Sequence, residues 1–150
     1  MTIITIEQLA ASKGPLLGID PGTKTFGLAV SDTTRLIATP VETIRRKKFT
    51  PDATKIFALY DDRDCSAMII GNPINMDGSE GPRSQSVKDF CINLMGLRDV
   101  PILLWDERLS TAAVTRTLLE ADTSRAKRAD AVDKLAASYI LQGVLDRLRV

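Results

Sequence analysis

Residues 16–32 read LLGIDPGTKTFGLAVSD. A continuous apolar run, Leu16-Leu17-Gly18-Ile19, stops at Asp20. Pro21-Gly22-Thr23-Lys24 then turns the chain, and Phe26, Leu28 and Val30 restart an alternating pattern. The first run has the signature of a strand covered on both faces, the second of its antiparallel neighbour. A carboxylate at the end of a buried strand needs a reason, because burying an unpartnered ion costs several kcal/mol. Asp20 caps a turn, sits at an exposed strand end, or faces a cation.

Outward from this stretch, Leu36 to Thr39 begins a third strand that Pro40 should close, making an antiparallel meander. Pro51 suits the first turn of a helix over 52–60. Ala67 to Ile70 is another buried strand, followed by the turn-rich loop 71–82 (GNPINMDGSEGP). Residues 83–96 carry Val87, Phe90, Cys91 and Leu94 at helical spacing. A last buried strand, Val100 to Trp105, runs into Asp106-Glu107-Arg108, and Ser110 is a plausible N-cap for a helix over 111–121. Residues 122–128 are expected to form a mobile basic connection. Residues 129–148 form a long helix bearing Val132, Leu135, Ala136, Tyr139, Ile140, Val144 and Leu148. Residues 1–14 have no clear period and read as a loose N-terminal arm. The order β-β-β-α-β-α-β-α-α predicts a single α/β domain over 1–150 with a mixed central sheet. The apolar strands ending at Asp20 and Glu107 are expected side by side at its centre.

The composition, 44% hydrophobic and 26% charged, is that of a soluble globular protein. No stretch reads as a membrane span or a secretion signal, so a cytoplasmic location is expected. Twenty basic against nineteen acidic residues leave a net charge of +1, so any attraction for phosphate must come from local clusters. Two such clusters are Arg45-Arg46-Lys47-Lys48 and Arg125-Ala126-Lys127-Arg128. Cys65 and Cys91 have no metal-ligand spacing and read as filler. The chain has no histidine. That removes Ser-His-Asp and Cys-His nucleophile systems and every His-based metal site. Carboxylates or lysines must carry any catalysis.

The carboxylates fall in three places. Asp20 and Asp106-Glu107 follow strand ends, where open α/β sheets collect ligands. Asp130 and Asp133 sit i, i+3 on the last helix, and Asp133 interrupts its apolar stripe. Each has a plain structural reading: Asp20 as a turn residue before Pro-Gly, Glu107 as half of a surface ion pair with Arg108, and Asp130 and Asp133 as complements to a helix dipole. Together, the three sites could instead converge on hard cations such as Mg²⁺, which take oxygen ligands. Gly71, Gly78 and Gly81 would let backbone N–H groups approach a phosphate, but the loop is not a G-x-x-x-x-G-K-[ST] nucleotide loop.

Four segments, LLGIDPGTKTFGLAVSD, IIGNPINMDGSEGPRSQSV, LLWDERLSTAAV and ADAVDKLAASYILQGVLD, resemble in order and spacing those of the YqgF family, also called RuvX. The resemblance covers about residues 16–148. It implies an RNase H-like fold with a mixed five-stranded sheet and helices on both faces, like that of RuvC-type Holliday junction resolvases. It also implies a nuclease that matures precursor 16S ribosomal RNA. Asp20, Glu107 and Asp133 then correspond to an acidic cluster holding Mg²⁺ or Mn²⁺, and Lys24, Arg108, Arg125, Lys127 and Arg128 to nucleic-acid contacts. Thr25-Phe26, where a basic-then-aliphatic pair is expected, and Asn72, where the family has an apolar residue, depart from the pattern. Asp130 is accessory. The D-x-G-T of Asp20–Thr23 also looks like the first phosphate loop of actin and sugar-kinase ATPases, but those enzymes need two lobes. A non-catalytic RNA-binding role in ribosome assembly or transcription is the other alternative.

Overall fold

The computed structural model describes residues 3–73, 77–107 and 125–149, with the side chains of 125–133 outside the description. The expected helix over 111–121, its cap Ser110, Arg108 and the start of the basic connection lie outside the described residues.

Leu16–Pro21 (β1) is buried along its whole length, as an all-apolar run requires. Thr25–Ser31 (β2) returns antiparallel beside it, pairing Ile19 with Leu28 and Asp20 with Gly27. Ala38–Arg45 (β3) continues the meander. The strand does not close at Pro40. It runs on to Arg45 because β3 is the edge of the sheet, where a missing N–H is tolerated. A register shift between Leu28 and Ala29 takes up the extra residue.

Phe49–Asp62 (α2) leads to Ala67–Asn72 (β4), parallel to β1, and Pro82–Leu97 (α3) leads to Ile102–Asp106 (β5), parallel to β4. The sheet order is β3-β2-β1-β4-β5, and Arg125–Leu148 completes the fold as a long helix, here α4. The mixed five-stranded sheet and its meander are as expected. The neighbourhood of β1 is not: β1 is central, but β4 separates it from β5. With β2 on one side of β1 and β4 on the other, a β4-α3-β5 crossover can only add β5 beyond β4. The apolar character of β5 comes from cover on both faces rather than from a central position.

Side chains alternate between two cores. Leu17, Ile19, Met68, Ile70 and Ile102 pack against α2 and α3. Leu16, Ala67, Ile69, Leu103 and Trp105 pack against Ala137, Ile140, Leu141 and Val144 of α4. The apolar stripe of α4 is rotated slightly from the expected one. Ala137, Leu141 and Leu145 are buried, while Tyr139 is among the exposed large side chains. Helix α4 also reaches back to Arg125, four residues before the expected boundary, because Ala126, Lys127, Arg128 and Ala129 are good helix formers despite their charge.

The N-terminal segment is docked, contrary to the expected loose arm. Ile6–Ala11 (α1) is nucleated by a reciprocal cap in which Thr5 N–H donates to Gln8 Oε1 (2.9 Å) and Gln8 N–H to Thr5 Oγ1 (3.1 Å). Leu9 is fully buried beside α4. The Arg35 guanidinium donates to the carbonyls of Leu9 (2.8 Å) and Gly14 (2.7 Å), tying both ends of the segment down. Ile4 N–H donates to Ile102 O at 2.8 Å, which covers part of the β5 edge. One short helix with a single buried leucine is too brief to show a period in sequence.

Helix α4 lies close to β1 at Gly18, where a Cβ would meet Leu141 Cβ at 2.9 Å and the Ala137 carbonyl at 3.2 Å. Its C-terminal residues Leu148 and Arg149 sit by Gly14, before the start of β1, so its earlier turns lead toward the carboxyl ends of the strands. No helix among the described residues is long and apolar enough to cross a membrane. Gly18→Ala should cost about 1–3 kcal/mol by forcing the helix off the sheet. Urea denaturation checks this; an unchanged midpoint would show that α4 can yield.

Candidate nuclease site at the carboxyl ends of the strands

Parallel pairing of β1, β4 and β5 aligns their carboxyl ends at one edge of the sheet. Asp20 is the even-numbered neighbour of Leu16 and Gly18, so alternation turns it to the α4 face. It is 3% exposed, and it makes an interaction within the protein. At the end of β5, Leu103 and Trp105 face α4, whereas Ile102 and Leu104 face the opposite core. The same alternation separates Asp106 from Glu107, and the half-buried Glu107 continues the α4 face.

Gly71 makes room for that acid. It pairs with Trp105 and follows Ile70, the partner of Ile19, so it lies between the ends of β1 and β5. A Cβ on Gly71 would meet Ile140 Cδ1 at 2.6 Å, Glu107 Cγ at 3.4 Å and Glu107 Oε1 at 3.5 Å. The Glu107 carboxylate therefore folds over a backbone cradle that any side chain would fill. Sequence reading noted Gly71 as a phosphate approach and missed this role; a glycine ending a fully buried strand was the signal.

Asp133 belongs to α4, one helical turn before the buried Ala136 and Ala137, but its side chain lies outside the described residues, as do those of Arg125, Lys127, Arg128 and Asp130. Among the described residues no cluster of three acids, cysteines or histidines forms. Asp20 and Glu107 are the two proposed ligands whose positions are described. Lys24 is exposed in the β1–β2 turn.

Both departures from the family pattern have local explanations. Phe26 is 1% exposed and stacks on Phe90 with ring centroids 4.8 Å apart, so it is a core residue. Asn72 faces away from α4 and is satisfied there, its Oδ1 accepting from Ser84 Oγ at 2.8 Å. The two thiols are free and buried. Desolvation pushes Cys65 up to about 11 and Cys91 up to about 12, so neither offers a thiolate at neutral pH.

A mixed sheet of this order, flanked by helices and carrying carboxylates where its parallel strands end, is an RNase H-like α/β framework. Its solved relatives include Thermus thermophilus RuvC in complex with a Holliday junction substrate, at a TM-score of 0.56 and 12% identity. That match covers 91% of this chain and 97% of RuvC, and it establishes the shared fold. The family model described as "RuvX: Holliday junction resolvase" matches residues 14–147, and the chain belongs to that family. A Paramagnetospirillum magneticum protein named "Putative pre-16S rRNA nuclease" is 58% identical over 149 residues, covering 97% of this chain and 96% of its own. A Methylocella silvestris protein of the same name is 57% identical over 150 residues, covering 98% and 93%.

Gly71→Ala should leave a folded protein in which Glu107 is displaced, and nuclease activity should drop severely while circular dichroism stays native. Full activity in that variant would show that the cradle is dispensable. The native protein should resist thiol alkylation at pH 8, with both cysteines reacting only after denaturation; rapid labelling of either thiol in the folded state would contradict its burial.

Proposed function

We propose that this protein is a metal-dependent endonuclease that hydrolyses phosphodiester bonds in structured nucleic acid, with the 5′ end of precursor 16S ribosomal RNA as its substrate in ribosome biogenesis. One observation carries the chemistry: Asp20 and Glu107, from strands that are not neighbours, share the α4 face on either side of the Gly71 cradle. Names shared across relatives of more than 50% identity support the substrate.

The donor set fits a hard divalent cation. It consists of carboxylate oxygens, with no histidine in the chain and both thiols buried elsewhere. Asp20 and Glu107 would hold Mg²⁺ or Mn²⁺, with Asp133 of α4 as the third ligand. When bound, such ions lower the pKa of water and offset charge on the phosphate. The chain's own part is to fix two carboxylates on rigid strand ends, close the α4 face to bulk water with apolar packing, and direct the phosphodiester to that edge. Without histidine, the proton of the attacking water must leave to a carboxylate or to a phosphate oxygen of the substrate. Lys24, Arg108, Arg125, Lys127 and Arg128 would bind the nucleic-acid backbone, each supplying a cation that releases counterions.

Junction-resolving activity on DNA is the second reading, favoured by the family description and by the likeness to a RuvC bound to a Holliday junction. A cleavage panel separates the two: a precursor 16S fragment, a four-way DNA junction and unstructured RNA, each with Mg²⁺ and with Mn²⁺. Specific cleavage of the precursor is expected, and junction cleavage alone would reverse the assignment. Asp20→Asn and Glu107→Gln should each reduce cleavage to background without unfolding the protein, whereas Asp106→Asn, on the opposite face, should stay active. Loss in Asp106→Asn with retention in Glu107→Gln would mean that the other face carries the chemistry.

A further inference from the structure

On the other face of the same edge, a cleft of about 110 Å³ is lined by Gly22, Thr23, Arg46, Arg83 and Ser86 above Phe90. We propose that this cleft binds a phosphodiester of the substrate strand next to the one being cleaved, with Arg46 and Arg83 as its ligands. This rests on the nuclease assignment and adds a second phosphate site to it.

The two arginines come from distant segments and converge on one turn. Arg46, just after β3, donates from Nη1 to Gly22 O at 2.6 Å, and its guanidinium lies over the Phe26 ring at 4.4 Å. Arg83, in the first turn of α3, donates from Nη2 to Pro21 O at 2.9 Å. Each guanidinium has five N–H donors, and these contacts occupy one on each. Both heads are thereby held at the cleft with further donors available, so little side-chain freedom is lost when an anion arrives. Among the described residues neither guanidinium is paired with a carboxylate, and no acid lines the cleft. The positive end of α3 adds to the same field.

Placement gives the cleft its role. Arg46 and Arg83 hold the carbonyls of Pro21 and Gly22, the two residues that follow Asp20. Asp20 turns to the α4 face, while Phe26 and Phe90 belong to the opposite core. A nucleic-acid strand laid across the end of β1 would set one phosphate by Asp20 and the next over the Pro21-Gly22 turn. Two cations there set where the strand lies, leaving the acids to act on a fixed bond.

The test is binding of a labelled single-stranded RNA in EDTA, with affinity measured against salt. Arg46→Gln and Arg83→Gln should each weaken binding and lower the slope of log K against log[salt] by about 0.7, the value for one lost phosphate contact on a single strand. Arg46→Lys and Arg83→Lys keep the charge and should keep the slope. Arg63→Gln, at the far end of α2, should change nothing. Unchanged slopes in the glutamine variants, or no RNA binding by the wild type, would overturn the proposal. The cleavage reading is scored separately with Asp20→Asn. Lowered slopes with cleavage intact in Asp20→Asn sink the metal site and leave the cleft, and the reverse combination sinks the cleft alone.

Discussion

Everything at the carboxyl edge depends on how closely α4 lies against the sheet. The helix can approach because β1 and β4 each present a glycine to it, Gly18 under Ala137 and Leu141 and Gly71 under Ile140. A larger residue at either point would lift the helix. Interiors packed to crystal-like density do not absorb such a change locally. The same approach buries Asp20 to 3% exposure and leaves the Glu107 carboxylate a backbone floor instead of a side-chain neighbour. Backbone proximity thus decides both the stability of the second core and the spacing of the two acids.

Sheet topology supplies the rest. The acids come from strands separated by β4, so neither can reach the site through its own hairpin or helix. Parallel pairing of β1, β4 and β5 makes their ends coincide, and strand alternation then chooses Glu107 over Asp106. The two faces of the end of β1 divide the work. The α4 face carries acids and the α3 face carries arginines, with Pro21-Gly22 between them. Opposite charges on opposite faces of one strand end let a polyanion be held on one side and approached by carboxylates on the other.

Much of this was legible in the sequence, for identifiable reasons. The apolar runs ending at Asp20 and Asn72 are buried on both faces and announce parallel strands, and the Pro-Gly turn announces the meander. Alternation at Trp105-Asp106-Glu107 gave the correct face for each acid. The order of strands was misread because covering both faces of β5 with helices gives it the composition of a central strand. The docking of residues 3–11 was missed because one buried leucine and a two-residue cap leave no period, and the clamp that holds them comes from Arg35, far along the chain. The cleft was missed for a similar reason: Arg46 looked like one of four charges in a surface run, and only the fold brings it to Arg83.

The central claim is that Asp20 and Glu107 jointly hold a divalent cation. Trp105, the only tryptophan, shares the α4 face with Glu107 two residues away and can report on it. Titration of the wild type with Mn²⁺, a paramagnetic quencher, should give saturable loss of tryptophan fluorescence. Asp20→Asn and Glu107→Gln should each weaken that binding by about tenfold or more, the scale on which disturbing a metal site costs affinity, while Asp106→Asn should not. Absence of saturable quenching, or equal affinity in all four proteins, would contradict the account.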